Sequence, residues 1–146
     1  MKTGAIVAFA TLALFLVNPA TATSPSDDPC GSKDSNRDMR ECYAKEQTRV
    51  NAEADSLAGD VTTELRKDVK EYESSHDSVV ADLLRKAAAA VTQSQKTWKA
   101  YRDQHCSAVE YSWTTGSGAG TAYEACMFAL GQARLRELRT SFPVSN

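Results

Sequence analysis

The sequence predicts an all-α fold: an antiparallel helical bundle of two long helices and a shorter third, stapled by disulfides. Three observations lead there. From Met39 onwards, apolar residues recur at spacings of three, four and seven. No stretch alternates with the period of two that a half-buried strand requires. Four cysteines, an even number, fall near the ends of the helical segments.

Ser35 opens the first helix with a capping-box pattern, Ser35-x-x-Asp38, the aspartate standing in for the usual glutamate. Behind it, Met39, Tyr43, Val50, Ala54, Leu57, Val61, Leu65, Val69 and Tyr72 form one apolar stripe. Gly59 interrupts that stripe and predicts a kink or a short break. Ser74-x-x-Asp77 offers a second cap. The periodicity then resumes through Val80, Leu84, Val91, Trp98, Tyr101, His105 and Val109. The stretch "TTGSGAG", Thr114 to Gly120, ends the second helix. It is no phosphate loop, because no Lys-Ser/Thr follows and no strand precedes; it reads as a flexible connector. Thr121-x-x-Glu124 caps the third helix, whose stripe of Tyr123, Cys126, Met127, Leu130 and Leu138 runs until Pro143 stops the chain. The tip around Tyr72 to Val80 is the least supported region, and there is no internal repeat.

Ahead of the bundle, residues 1–22 read as a cleaved signal peptide. Met1-Lys2 supplies a positive start, Ala5 to Val17 an apolar run, and Ala20-Thr21-Ala22 a small-x-small cleavage site. Asn18-Pro19 breaks the run before it reaches the ~20 residues a membrane span needs. No cysteine follows the cleavage site directly, so no membrane anchor is expected after cleavage and the protein should be periplasmic or secreted. Residues 23–34, rich in Ser, Pro, Asp and Gly, read as a flexible leader, and residues 35–142 as a single helical domain. The net charge of −2 at pH 7 becomes one unit more negative when Lys2 is removed. Mild acidity argues against a nucleic-acid partner, which selects a concentrated basic face.

An exported chain with four cysteines predicts two disulfides. If the first two helices are antiparallel, Cys30 and Cys42 flank the start of the first, while Cys106 and Cys126 flank the connector. All four then gather at one end. Local closure, Cys30 with Cys42 and Cys106 with Cys126, is the natural arrangement, and crossed pairing stays open because the four are neighbours. A metal site is not expected. No C-x-x-C is present, and adjacent His105 and Cys106 point about 100° apart on a helix.

The stretch "WKAYRDQHC", Trp98 to Cys106, concentrates reactive residue types. On a helix, Trp98, Arg102, His105 and Val109 fall within about 40° of one line, with Tyr101 beside them. Arg102 therefore lies in the apolar stripe and needs an acid or an aromatic face. Trp98, one turn earlier, can stack on it, and Glu46 or Glu53 could reach across from the first helix. Asp103 points away and is assigned to a cap or another pair. Catalysis lacks its parts: Cys106 is expected to be oxidised, the two histidines lie far apart, and no Ser-His-Asp order with an elbow motif occurs. Trp98, Tyr101, Arg102 and Asp103 are read as a structural motif, and no catalytic residue, enzyme activity, cofactor or metal is expected.

Taken together, Cys30, "MRECYAKE" (Met39 to Glu46), "QKTWKAYRDQHC" (Gln95 to Cys106) and "YEACMFALGQARLRELR" (Tyr123 to Arg139) resemble the LprI-type lysozyme-inhibitor family of exported bacterial proteins. The resemblance spans most of the chain beyond the signal segment. It implies a protein partner, a lysozyme, bound and inhibited without chemistry. A mildly acidic inhibitor suits a basic enzyme whose cleft holds acidic catalytic groups. Tyr111, Trp113 and Ser117, at the Gly-rich connector, are the candidate contact residues. Trp113 has an alternative role, folding back over the hairpin end. The alternative function is an envelope structural or immunity-type binding protein whose partner is not lysozyme.

Overall fold

Three helices, α1 (Asn36–Ser74), α2 (Ser78–Ser112) and α3 (Ala119–Ser141), make up the bundle, with no strand among the described residues. The computed structural model describes residues 28–114 and 116–142; the expected signal peptide lies outside them. At 1.5 Å per residue, α1 and α2 reach about 58 and 52 Å, and α3 only about 34 Å. α3 starts beside the start of α1, where the Thr121 hydroxyl donates to the Asn36 carbonyl at 3.0 Å. Further along, Tyr43 meets Phe128 with ring centroids 5.9 Å apart, and Arg139 pairs with Glu53. α1 and α3 are therefore parallel, with α2 antiparallel to both. Beyond the end of α3 the bundle continues as a two-helix hairpin, which leaves Tyr72, Val79 and Leu83 exposed near its tip.

The helix ends follow backbone demand more than the capping pattern. Ser35 caps α1 as its spacing predicts, accepting from the Asp38 amide at 3.1 Å. Asp38 is occupied by the Ser35 hydroxyl, 2.8 Å away. The cap of α2 is Asp77, which accepts from the Val80 amide at 3.1 Å. Ser74 lies inside α1, its hydroxyl turned back to the Glu71 carbonyl. His76, between the two helices, takes a left-handed φ of 66°. α3 begins at Ala119, two residues before Thr121 and without a side-chain cap. The early start gains the Ala122 amide to Gly118 carbonyl bond at 2.8 Å and frees the Thr121 hydroxyl for α1. Gly120 thus sits in the first turn of α3 and not in the connector.

Small residues set the core. Ala54, Ala58, Ala81 and Ala88 are buried, and among the described residues Leu138 is the largest side chain with under 2 % exposure. Short side chains let the helices approach closely, and Gly131 marks one close approach of α3 to α1. A Cβ there would meet Asn51 Oδ1 at 2.8 Å and Val50 Cγ1 at 3.1 Å. Gly59 is the opposite case. α1 passes through it unbroken, and a Cβ would meet nothing within 4 Å. The short break allowed there does not occur, because a lone glycine weakens a helix without breaking it.

All four cysteines are paired locally, Cys30 with Cys42 and Cys106 with Cys126, at Cα separations of 5.7 and 5.6 Å. The second bond fastens α2 to α3, while the first holds the segment ahead of α1 against that helix. Loops of 12 and 20 residues contribute about 2–4 kcal/mol each, largely by restricting the unfolded chain.

The two glycines give opposite predictions. Gly59→Ala should raise the free energy of unfolding by about 1 kcal/mol, the helix-propensity difference in open space. Gly131→Ala should lower it by about 1–3 kcal/mol through overpacking. Urea denaturation followed by circular dichroism measures both, and equal shifts for the two variants would contradict the packing described.

Candidate functional site

The stretch that concentrates reactive residues is engaged in packing and ion pairing, and those contacts extend beyond its own helix. Arg102 keeps only 11 % of its side chain exposed, and its guanidinium lies 5.0 Å from the centroid of the Trp98 ring. Its acid partner is neighbouring Asp103, at 2.8 and 2.6 Å, and neither Glu46 nor Glu53. Both glutamates are taken by Arg49, and Glu53 also by Arg139. An adjacent residue diverges by about 100° at Cα, but the long arginine side chain bends back across that angle. Tyr101 and His105 lie outside the core, stacked on each other at 5.5 Å, with Tyr101 53 % exposed.

A second arginine completes this region. Arg134 of α3 is 6 % exposed and approaches the same tryptophan at 6.0 Å. Its Nε donates to Gln95 Oε1 at 2.9 Å, one terminal nitrogen to the Ser94 hydroxyl at 2.9 Å, and the other to Glu137 at 3.0 Å. The Gln95 amide in turn donates to Asp55 Oδ1 at 2.9 Å, while Lys99 holds Asp55 Oδ2 at 2.7 Å. Burial works against the charge on Asp55. The Lys99 and Gln95 hydrogen bonds, with the charges of Lys99 and Arg102, outweigh it and hold the carboxyl below its ordinary value. One continuous polar seam thus crosses all three helices.

The cysteine end presents the other candidate residues. α2 ends at Trp113, and Thr114 follows in a left-handed conformation with φ 48°. The Gly116 amide closes the turn on the Trp113 carbonyl at 2.9 Å. The indole folds back over the turn, so that a Cβ on Gly118 would lie 2.7 Å from its ring. Trp113 is nevertheless half exposed, and Tyr111 is 75 % exposed beside it; Ser117 is also exposed. Trp113 therefore braces the connector with one face and leaves the rest of its surface open.

Around the start of α1, a polar depression of about 780 Å³ is lined by Asp34, Asp38, Glu41 and Glu46 with Lys33 and Lys45. Asp28 is tied down beside it by the Tyr43 hydroxyl at 2.5 Å and the Cys30 amide at 2.9 Å. Burial and this carboxylate together push the Tyr43 hydroxyl up to about 12. Glu124, which sequence spacing assigns to a cap, is instead half-buried, with Oε2 lacking any hydrogen-bond partner. Burial raises its carboxyl above the ordinary value; Arg40 opposes that shift and Glu110 adds to it. Among the described residues, no three His, Cys, Asp or Glu side chains converge as metal ligands.

Two measurements check these assignments. Arg134→Ala should cost roughly 2–4 kcal/mol, because it strips Gln95 and Ser94 of a buried charged donor. Arg102→Ala should cost only about 1 kcal/mol, since Asp103 is left in solvent. Chemical denaturation of both variants tests the order, which a larger loss at Arg102 would reverse. For Glu124, the folded state binds its proton more tightly than the unfolded chain, so stability falls as pH rises above the ordinary value of 4.5. Glu124→Gln should therefore be more stable than the wild type at pH 7, and the difference should vanish below pH 4.5. Thermal melts across that range test the sign.

No described helix is long and apolar enough to cross a membrane. No curated protein and no solved structure matches the chain. The family model described as lysozyme inhibitor LprI matches residues 27–138. That match takes in both disulfides, the polar seam and the aromatic connector, and the chain belongs to the LprI lysozyme-inhibitor family.

Proposed function

We propose that this protein is exported and inhibits a lysozyme by direct binding, with the cysteine end as its contact surface. The observation that carries the site is the pair of exposed aromatics, Tyr111 in the last turn of α2 and Trp113 at its end, beside the Cys106–Cys126 bond that fastens α2 to α3. Aromatic side chains held on a rigid support lose little conformational freedom on binding, which makes them effective anchors. The acid-lined depression at the same end supplies charge of the sign that attracts a basic enzyme. Family membership supports the partner class. The segment before Asp28, with its apolar run and small-x-small site, supports export.

Inhibition here requires no chemistry, only occlusion of the enzyme's cleft. The test is residual activity of a panel of muramidases titrated with purified wild-type protein, Tyr111→Ala and Trp113→Ala. Each variant should weaken inhibition by about tenfold or more, the effect of losing one anchor. Association should also slow as salt screens the long-range attraction. Tyr111 makes a clean test because it is so exposed, whereas Trp113→Ala needs circular dichroism to show that the turn survives. Undiminished inhibition by both folded variants would displace the site. A wild-type protein that inhibits no lysozyme would refute the function and favour an envelope partner of another kind.

A further inference from the structure

A groove between α1 and α2 takes no part in the reading above. It encloses about 500 Å³, and no residue of α3 lines it. That volume is within the range of small-molecule sites, about 300–1,000 Å³. The Arg85–Glu73 and Lys99–Asp55 pairs fix the antiparallel register of the two helices. In that register Lys99 stands at one end of the groove, Arg66 at the other, and Lys96 between them, opposite Gly59.

Charge identifies one half of the ligand. Lys99 is held by Asp55, but Arg66 and Lys96 form no ion pair among the described residues. Two uncommitted cations face one cleft on a chain whose net charge is −2. Hydrogen bonding identifies the other half. Thr63 and Thr92 spend their hydroxyl protons on carbonyls of their own helices, Gly59 and Ala88, at 2.9 and 3.0 Å. What these hydroxyls offer the groove is acceptor oxygen, which suits a ligand carrying hydroxyl donors.

Gly59 supplies an independent observation. Glycine weakens a helix interior, and this one is not demanded by packing, since a Cβ would meet nothing within 4 Å. Its effect is to keep the wall opposite Lys96 open and the backbone approachable. Asp55 and Gln95, which line the groove, are held by the seam from Arg134, so its wall is fixed in advance.

We propose that this groove binds a small hydroxylated organic anion, of the sugar-acid or sugar-phosphate class, with Arg66 and Lys96 on its negative group and Thr63 and Thr92 on its hydroxyls. The site is separate from the cysteine end and stands whether or not the protein inhibits a lysozyme.

Isothermal titration and amide chemical-shift mapping of the purified protein with glucuronate, glucose 6-phosphate, glucose and inorganic phosphate test the proposal. At least one sugar anion should bind saturably, shifting amides of residues 58–66 and 92–99, and which one binds separates carboxylate from phosphate recognition. Glucose should not bind, and inorganic phosphate should bind about tenfold more weakly, for want of the hydroxyl contacts. Arg66→Gln and Lys96→Gln should each weaken the sugar anion by about tenfold. Gly59→Leu should abolish binding while melting no lower than the wild type. The proposal is overturned if neither sugar anion saturates, if glucose or inorganic phosphate binds as well, or if the variants leave affinity unchanged.

Discussion

The guanidinium of Arg134 is the charge around which the three helices are arranged. A buried cation is tolerated only when its donors are matched, and here they are matched from two helices directly and from the third through Gln95. A slip of one residue between α1 and α2 would separate Gln95 from Asp55. A rotation of α3 would leave Ser94 and Gln95 without their donor. Apolar stripes of alanine and valine are permissive about register, because one small side chain replaces another with little loss. The polar seam is not permissive, and it therefore selects one alignment from the several that the stripes allow.

That selection matters because the core is thin. With so few large side chains fully buried, apolar area alone gives a modest return against chain entropy. The disulfides act on the entropic side of that balance, and both lie at the end where α3 begins. Stability is consequently uneven along the molecule: three helices, two disulfides and the seam support one half, while the hairpin beyond α3 has only α1 against α2. The exposure of Tyr72, Val79 and Leu83 belongs to this second half, where no third helix exists to cover them.

Helix number, order and approximate length were legible because apolar periodicity is a property of the chain itself. The local pairing of the cysteines was legible from topology as the simpler of the possibilities. Capping was less so. Asp77 caps α2 where the spacing assigns that role to Ser74, and Thr121 makes a contact with Asn36, eighty-five positions away in sequence, in place of the cap its spacing assigns. Side-chain partners were the hardest to read. Arg102 sits in the stripe as its spacing requires, yet its acid is Asp103, because a flexible stem overrides the angle between adjacent Cα positions. Arg134 could have been found by the same reasoning. It falls four residues after Leu130 and four before Leu138, squarely within the apolar face of α3.

The residue types that make "WKAYRDQHC" look catalytic also join helices. Tryptophan offers an extended face to two guanidinium groups at 5.0 and 6.0 Å, and the second, Arg134, joins α2 to α3. Arginine supplies several directed donors, so one side chain can bind partners on more than one helix. Cysteine supplies a covalent bond in place of a nucleophile. All three functions substitute for bulk in a bundle built from small side chains, and they concentrate between the seam and the connector. The aromatic turn at Trp113 is thus carried on the best-supported part of the molecule. On the proposed inhibitory role, a surface held in this way would enter a complex with little ordering left to do, leaving most of its contact energy available for affinity.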